Sequence, residues 1–403
     1  MFVEAALPAF ATGPGGSAYS GAARIEDSTT IAEIHGHEGE LKQWDEDYWD
    51  ERQSSTLFSV TEEQLRPYFP LHCVLSGLFQ LSSILFGITV KPADQRVEVW
   101  HPDVKVFDVY DEKGSHIASF FLDLYSRPSE KERGSWTTSF ISRSKLLGKK
   151  PVAFVVCNQL PPIGSTPSLM SFAEVKSLFH EFGHAMQHML TTVPYAMAAG
   201  LNNIELDAVE FPSQFMENWL YDNNTIPLIS GHYQTGKPLP QNIFAQILKA
   251  HHYGGGSVML RQLFLAALDL TLHTRAGEHG IIISYSSFSS TDSWTKVVKK
   301  IAERFSVMKE IPESCILCTF PHIFSGGYAA GYYAYEWAEV LSQDAFGAFE
   351  DVGLQNRKAI SKIGRRFRDT VLSLGGGTDP GEVFRMFRGQ DPHLEFLLKA
   401  YGI

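Results

Sequence analysis

Cysteine is scarce in this chain. Four in 403 residues, Cys73, Cys157, Cys315 and Cys318, are too few and too irregularly spaced for a disulfide framework. That points to a reducing intracellular compartment, with cytoplasm, chloroplast and mitochondrion equally open. Cys315 and Cys318 do form a C-x-x-C, but no second pair completes the four ligands of a zinc ribbon, so the spacing reads as coincidence. Long apolar runs are missing as well. The most apolar segment, residues 73–90, is interrupted by Ser76, Gln80, Ser82 and Ser83 and falls short of a bilayer span, so no membrane partner is expected. Basic charge is in deficit, 34 Lys and Arg against 45 Asp and Glu for a net charge of -11. Without a basic stripe, nucleic acid is excluded as a partner. Also absent are a secretory or transit signature and any internal repeat of fixed period.

What is present is an ordinary globular composition on a long chain. Its length exceeds the size at which one hydrophobic core stops growing, so two lobes or one large domain with a cleft are expected. Residues 1–42 are rich in Gly, Ala and Ser without sustained periodicity and read as a poorly ordered leader. Helical patterns follow over about 45–88, broken at Pro67 and Pro70. Between Arg96 and Tyr125 the pattern alternates through Val97, Val99, Val104, Val106 and Val109, turns near Gly114, and resumes, which predicts a hairpin. Runs at 136–141 and 152–157 extend it into a small antiparallel sheet. An edge of that sheet beside a reactive centre would suit an extended peptide adding itself as a strand. After residue 165 the chain reads as helical, except for 280–295, which has no clear assignment. The expected class is therefore mainly α with a small antiparallel β-sheet, α+β.

The densest chemistry lies at His180, Glu181 and His184, an H-E-x-x-H. Ser171 and Glu174 stand in capping-box spacing, with Met170 and Val175 placed as a hydrophobic staple, so a helix is predicted from Ser171 to about Leu190. His180 and His184 are then one turn apart on one face, where both imidazoles reach one ion, and Glu181 projects beside them toward a water. Zinc in hydrolytic sites takes three protein ligands and leaves a fourth position for water. Asp207, Glu210 and Glu217 are the carboxylates of the next helical segment, and spacing leaves the choice among them open. The competing reading, a pair of core or solvated histidines, has the capped helix and the carboxylate segment against it. His188, a further turn along, reads as a satisfied histidine.

A second cluster spans His322 to Tyr335. Tyr328, Tyr332 and Tyr335 fall at i, i+4 and i+7, so a helix there would bring three phenols to one face. Such a stripe is packing surface in most proteins. Here Gly326, Gly327 and Gly331 leave the backbone approachable and His322 adds a donor, an arrangement that would equally suit an oxyanion. Both readings stay open on the residues alone.

Three long segments carry a family resemblance: LFHEFGHAMQHMLT (178–191), ELDAVEFPSQFMENW (205–219) and HIFSGGYAAGYYAYEWAEV (322–340). Together with WHPDVKVFDVYD, FFLDLYSRP, RQLFLAALDL and the FRG at 387–389, they resemble the thimet oligopeptidase and oligopeptidase A family, nearest its oligopeptidase A branch. The resemblance covers roughly residues 40–403. It implies a zincin-like, gluzincin-type catalytic domain over 43–403, with His180, His184 and Glu210 holding one Zn2+ per chain and Glu181 activating water. It further implies that His322, Tyr328 and Tyr335, with Tyr332 beside them, contact substrate or the tetrahedral intermediate.

The activity so implied is that of a metalloendopeptidase cutting internal bonds of short unstructured peptides by Glu-assisted attack of zinc-bound water. A monomer is expected if the chain is complete. Asp207, one turn before Glu210, is a candidate to orient a histidine. The family's helical region, which forms the opposite wall of its channel, is not recognisable before residue 43. The stretch 251–256 also departs from the family pattern. A competing reading is therefore a zinc-binding but inactive scaffold, and a third is another H-E-x-x-H hydrolase such as an amidase, which the tyrosine motif disfavours.

Overall fold

The computed structural model describes residues 32–58, 60–93, 97–274, 292–306, 311 and 315–402. Most of the expected leader and residues 280–291 of the unassigned stretch lie outside them. The leader's end is described, and Ala32 and Leu41 bury against Trp49 there. Two compact units result: one of Met1–Val60, Ala245–Trp337 and Leu397–Ile403, the other of Thr61–Phe244 and Ala338–Phe396.

In the second unit, five strands form one sheet: β1 Thr89–Pro92, β2 Lys105–Tyr110, β3 His116–Tyr125, β4 Trp136–Ile141 and β5 Val152–Gln159. β2 and β3 make the expected hairpin, closed where Asp111 Oδ1 accepts from the N–H groups of Lys113 and Ser115 at 2.9 and 2.8 Å. Val97 and Val99 lie before the strand and are exposed. The order is β1-β2-β3-β5-β4, so β5 inserts between β3 and β4, and it pairs with β3 in parallel. The sheet is thus mixed, not wholly antiparallel. Apolarity explains the order. β3 and β5 carry buried residues on both faces and take the central places, as strands covered on two sides do. β4, which carries no buried residue and exposes Thr138 and Phe140, and β1, ending in Pro92, take the edges.

The helix Phe172–Met189 packs on β3, β4 and β5. Its Phe182 meets Phe120 of β3 and Phe79 of helix Leu71–Phe86 at 5.7 and 5.8 Å between ring centroids. A second aromatic core gathers Phe215, Trp219, Phe346, Phe349 and Phe367, with Phe215 and Phe367 stacked at 4.1 Å. Each such ring, fully buried, stabilises by roughly 1.5–3 kcal/mol. The first core holds helix Phe172–Met189 through Phe182, the second holds helix Phe211–Asn218 through Phe215, and the two helices pack on each other.

The first unit is helical: Glu46–Phe58, most of the long helix Gln241–His273, and Asp292–Phe305. The unusual stretch at 251–256 lies inside the long helix, where Tyr253 OH accepts from Gln53 Nε2 at 2.9 Å. Cys315 and Cys318 are free and exposed, on a single helical turn. No helix among the described residues is long and apolar enough to cross a membrane.

Candidate metal centre

The helix begins where its capping residues dictate. Ser171 Oγ accepts from Glu174 N–H at 3.0 Å, and Glu174 Oε2 accepts from Ser171 N–H at 2.7 Å. Met170 and Val175 close the staple, both fully buried. Val175, Leu178, Phe182, Ala185, Met186 and Met189 then form one buried stripe. That stripe fixes the helix rotation and turns His180 and His184 to the opposite face.

Glu210 stands at the joint between the short helix Leu206–Val209 and Phe211–Asn218, with Pro212 in the first turn of the latter. Its carboxylate is only 3 % exposed, and Ser213 Oγ lies 3.0 Å from Oε2. His180 Nε2 and His184 Nε2 approach that same oxygen at 3.2 and 3.1 Å. All three ligand atoms fall within 4.8 Å of one another, the only such group among the described residues. Two ligands held about 2.0–2.1 Å from one tetrahedral ion would stand about 3.3 Å apart. The spacing fits a metal.

What lets Glu210 come so near is Gly183. A methyl group there would sit 2.5 Å from Pro212 O and from Ser213 Cα, so any side chain would push the two helices apart. The glycine within the motif was not singled out by the H-E-x-x-H pattern, which leaves that position free.

The carboxylate found on His180 Nδ1 is Glu217, at 2.6 Å, with Lys176 Nζ on its other oxygen at 3.0 Å. Spacing offers Glu217 only as a ligand and gives the orienting role to Asp207, which is half-buried one turn before Glu210. The missed signal is periodic: Lys176, His180 and His184 repeat every four residues on one helix, and Glu217 follows Glu210 by two turns of the other. Burial alone would lower the His180 pKa, but hydrogen bonds to Glu210 and Glu217, and their charges, raise it to about 10. Glu210 moves the other way: burial would raise it, yet the charge of His184 and hydrogen bonds from both histidines hold it well below the usual carboxylate range. Glu210 and Glu217 thus bracket His180, one carboxylate at each ring nitrogen.

Glu181 lies on the flank of the helix next to β4. It is 6 % exposed, and Thr137 Oγ1 donates at 2.8 Å to its Oε2, with the Glu181 carbonyl at the same distance. Burial pushes its carboxyl above the ordinary value. A carboxyl so shifted is suited to exchanging a proton. Thr137 was not foreseen; period-2 alternation locates a strand but not which polar residue meets a neighbouring helix. His188 is buried with Nε2 on Ile141 O at 3.0 Å, but its Nδ1 is buried without a hydrogen-bond partner, so the expected satisfied histidine is met at one ring nitrogen only.

In the other unit, His322, Tyr328, Tyr332 and Tyr335 do come together, though not on one helix. The helix starts only at Ala334, so of the three tyrosines it holds Tyr335, and residues 329–333 are turns. Ala330 adopts a left-handed φ of 54°, which no continuous right-handed helix allows. The rings of Tyr328 and Tyr335 stack at 4.8 Å, each 6.1 Å from His322. Tyr332 differs from the others. It is 7 % exposed, its hydroxyl donates to Gln262 Oε1 at 3.1 Å, and burial raises its pKa to about 12.

A paired-histidine helix laid on a small sheet, with a carboxylate from the following helix, is the zincin-like arrangement of metallopeptidases. Comparison with known proteins gives the narrower answer. The chain belongs to peptidase family M3, whose model matches residues 20–403. It is similar to organellar oligopeptidase A, chloroplastic/mitochondrial, of Arabidopsis thaliana, 47% identical over 94% of this chain and 48% of that protein. Oligopeptidase A of Escherichia coli is 40% identical, with 90% and 52% covered. A dipeptidyl carboxypeptidase of Salmonella typhimurium is 33% identical, with 92% and 52% covered. The chain spans about half the length of the curated relatives it matches.

Proposed function

We propose that this chain is a zinc metalloendopeptidase of the oligopeptidase type, hydrolysing internal bonds of short unstructured peptides. The observation that carries the reading is the convergence of His180, His184 and Glu210 on one point, with Glu181 held beside it. Zinc held by those three residues would supply Lewis-acid polarisation of the scissile carbonyl and make water acidic enough to attack near neutral pH. Two imidazoles and one carboxylate are a donor set that suits this ion.

Glu181 takes the proton of the attacking water on its carboxylate and returns it to the leaving amine as the C–N bond breaks. Thr137 keeps the carboxylate aimed while the proton moves. Glu217, backed by Lys176, holds His180 through Nδ1 so that Nε2 stays turned toward Glu210, where the two would share the ion. His322, Tyr328 and Tyr335 are assigned to the substrate side, as donors to the oxyanion, and their close grouping supports that assignment. The free edge of β4, which carries Thr137, is suited to receive an extended peptide as an added strand. A reducing intracellular compartment agrees with the free cysteines.

Purified protein given a panel of quenched peptides, with products identified by mass, tests this reading. Chelator-sensitive cuts at internal bonds are expected. Release of C-terminal dipeptides alone would move the chain toward exopeptidase action. Bound zinc with no cleavage of any peptide would instead support the scaffold reading, which the half-length coverage of the relatives keeps in play.

A further inference from the structure

The segment RQLFLAALDL, residues 261–270, takes no part in the chemistry above, yet it carries a fully buried carboxylate. Asp269 sits at 0 % exposure on the long helix Gln241–His273. Its Oδ1 accepts from Ala330 N–H at 2.9 Å and its Oδ2 from Tyr332 N–H at 2.8 Å, while His273 Nδ1 lies 2.8 Å from Oδ1. Two turns earlier on the same helix, Gln262 takes the Tyr332 hydroxyl. All of these groups belong to one compact unit. The loop they hold has one helical turn, Pro321–Ile323, and then no regular element until Ala334. Its amides therefore have no helix or strand ladder to join, and a buried amide must find some acceptor. A carboxylate that accepts two N–H groups on alternate residues fixes the intervening backbone, and charge-assisted bonds of this kind are the strong ones.

We infer that Asp269 is a positioning residue: it moulds the loop so that Tyr328 and Tyr335 are held in their stacked pair beside His322. The left-handed Ala330 marks where that hold is exerted, because an alanine adopts this conformation only when its surroundings impose it. Gln262 adds a second tether through the Tyr332 side chain. The inference rests on the proposal that His322, Tyr328 and Tyr335 face the substrate, and the hold on the loop can be measured apart from it.

The zinc-loaded Asp269→Asn variant, nearly the same shape but uncharged, is the test. Three quantities are measured beside the wild type: zinc content, amide exchange across residues 324–336, and affinity for a phosphinic peptide compared with an uncleaved peptide of the same sequence. Zinc content should not change. Exchange at Ala330 and Tyr332 should quicken about tenfold or more, as expected when a charged acceptor is lost. The phosphinic peptide, which mimics the tetrahedral state, should bind about 10- to 100-fold more weakly, while the plain peptide stays within about threefold. Equal weakening of both peptides would reduce Asp269 to a folding anchor and overturn the inference, as would unchanged exchange. If the wild type itself fails to prefer the phosphinic peptide, the substrate-facing assignment falls, and the exchange data alone decide whether Asp269 holds the loop. Should Asp269→Asn not fold, Gln262→Leu serves in its place. Unaltered exchange and unaltered phosphinic affinity in that variant would equally contradict the idea.

Discussion

The motif helix and the tyrosine loop are both rich in chemistry, but they are built by different rules. Helix Phe172–Met189 is specified locally: a cap, a staple and an apolar stripe set its start and its rotation, and the reactive face follows. The loop ahead of Ala334 is specified at a distance, by a carboxylate and an amide some sixty to seventy residues earlier. Reactive side chains on a periodic element are stiff by inheritance. Those on a loop are only as stiff as their tethers.

The largest expected effect lies on the periodic side. Glu181→Gln keeps the shape of the motif helix and should lower kcat by roughly 10²–10⁴ through loss of the proton acceptor, with zinc content unchanged. Turnover close to wild type would break the assignment of roles within the helix. Next comes the helix contact: Gly183→Ala forces a methyl against Pro212 and Ser213 and should cost about 1–3 kcal/mol in denaturant unfolding, as overpacking does. The same change should loosen zinc, because Glu210 moves with that backbone.

That contrast also sets what the sequence reveals. The cap at Ser171, the helix it opens and the histidine pair all follow from spacing, and the helix ends within a residue of expectation. The strands at 136–141 and 152–157 are readable as strands, but their order is not, because insertion of β5 beside β3 depends on which strands are buried on both faces. Periodicity fails at Tyr328–Tyr335 for a physical reason: i, i+4, i+7 spacing assumes a helix, and Ala330 breaks it. Thr137, Glu217 and Asp269 share a further property. Each meets its partner across tens of residues, 44, 37 and 61–63 apart, and no local pattern records such a pairing.

A smaller effect sharpens the comparison. Glu217→Gln leaves the ligands in place but gives His180 Nδ1 a weaker, neutral partner, and zinc affinity measured against a competing chelator should fall about 10- to 100-fold. An unchanged affinity would mean the helix orients its histidines without help. The smallest effect is an acid dependence within the sheet-bearing unit. Burial alone would raise the carboxyl of Asp123, but bonds from Arg127, Trp100 and Lys131 hold it below its ordinary value. A depressed carboxylate adds stability that is complete above its unfolded pKa, near 3.9. That contribution is lost as pH falls through the lower folded value. The melting temperature should therefore decline more steeply below about pH 4 in the wild type than in Asp123→Asn, and parallel curves would remove Asp123 from the account.

The central claim is that His180, His184 and Glu210 close around one zinc ion while Glu181 and Thr137 stand outside it. Native mass spectrometry with one equivalent of zinc tests this most directly. One zinc should stay on the wild type and on Glu181→Gln, and it should be lost from His184→Ala and Glu210→Ala under the same conditions. Zinc retained at full stoichiometry by Glu210→Ala would contradict the account, because the third ligand would then lie elsewhere.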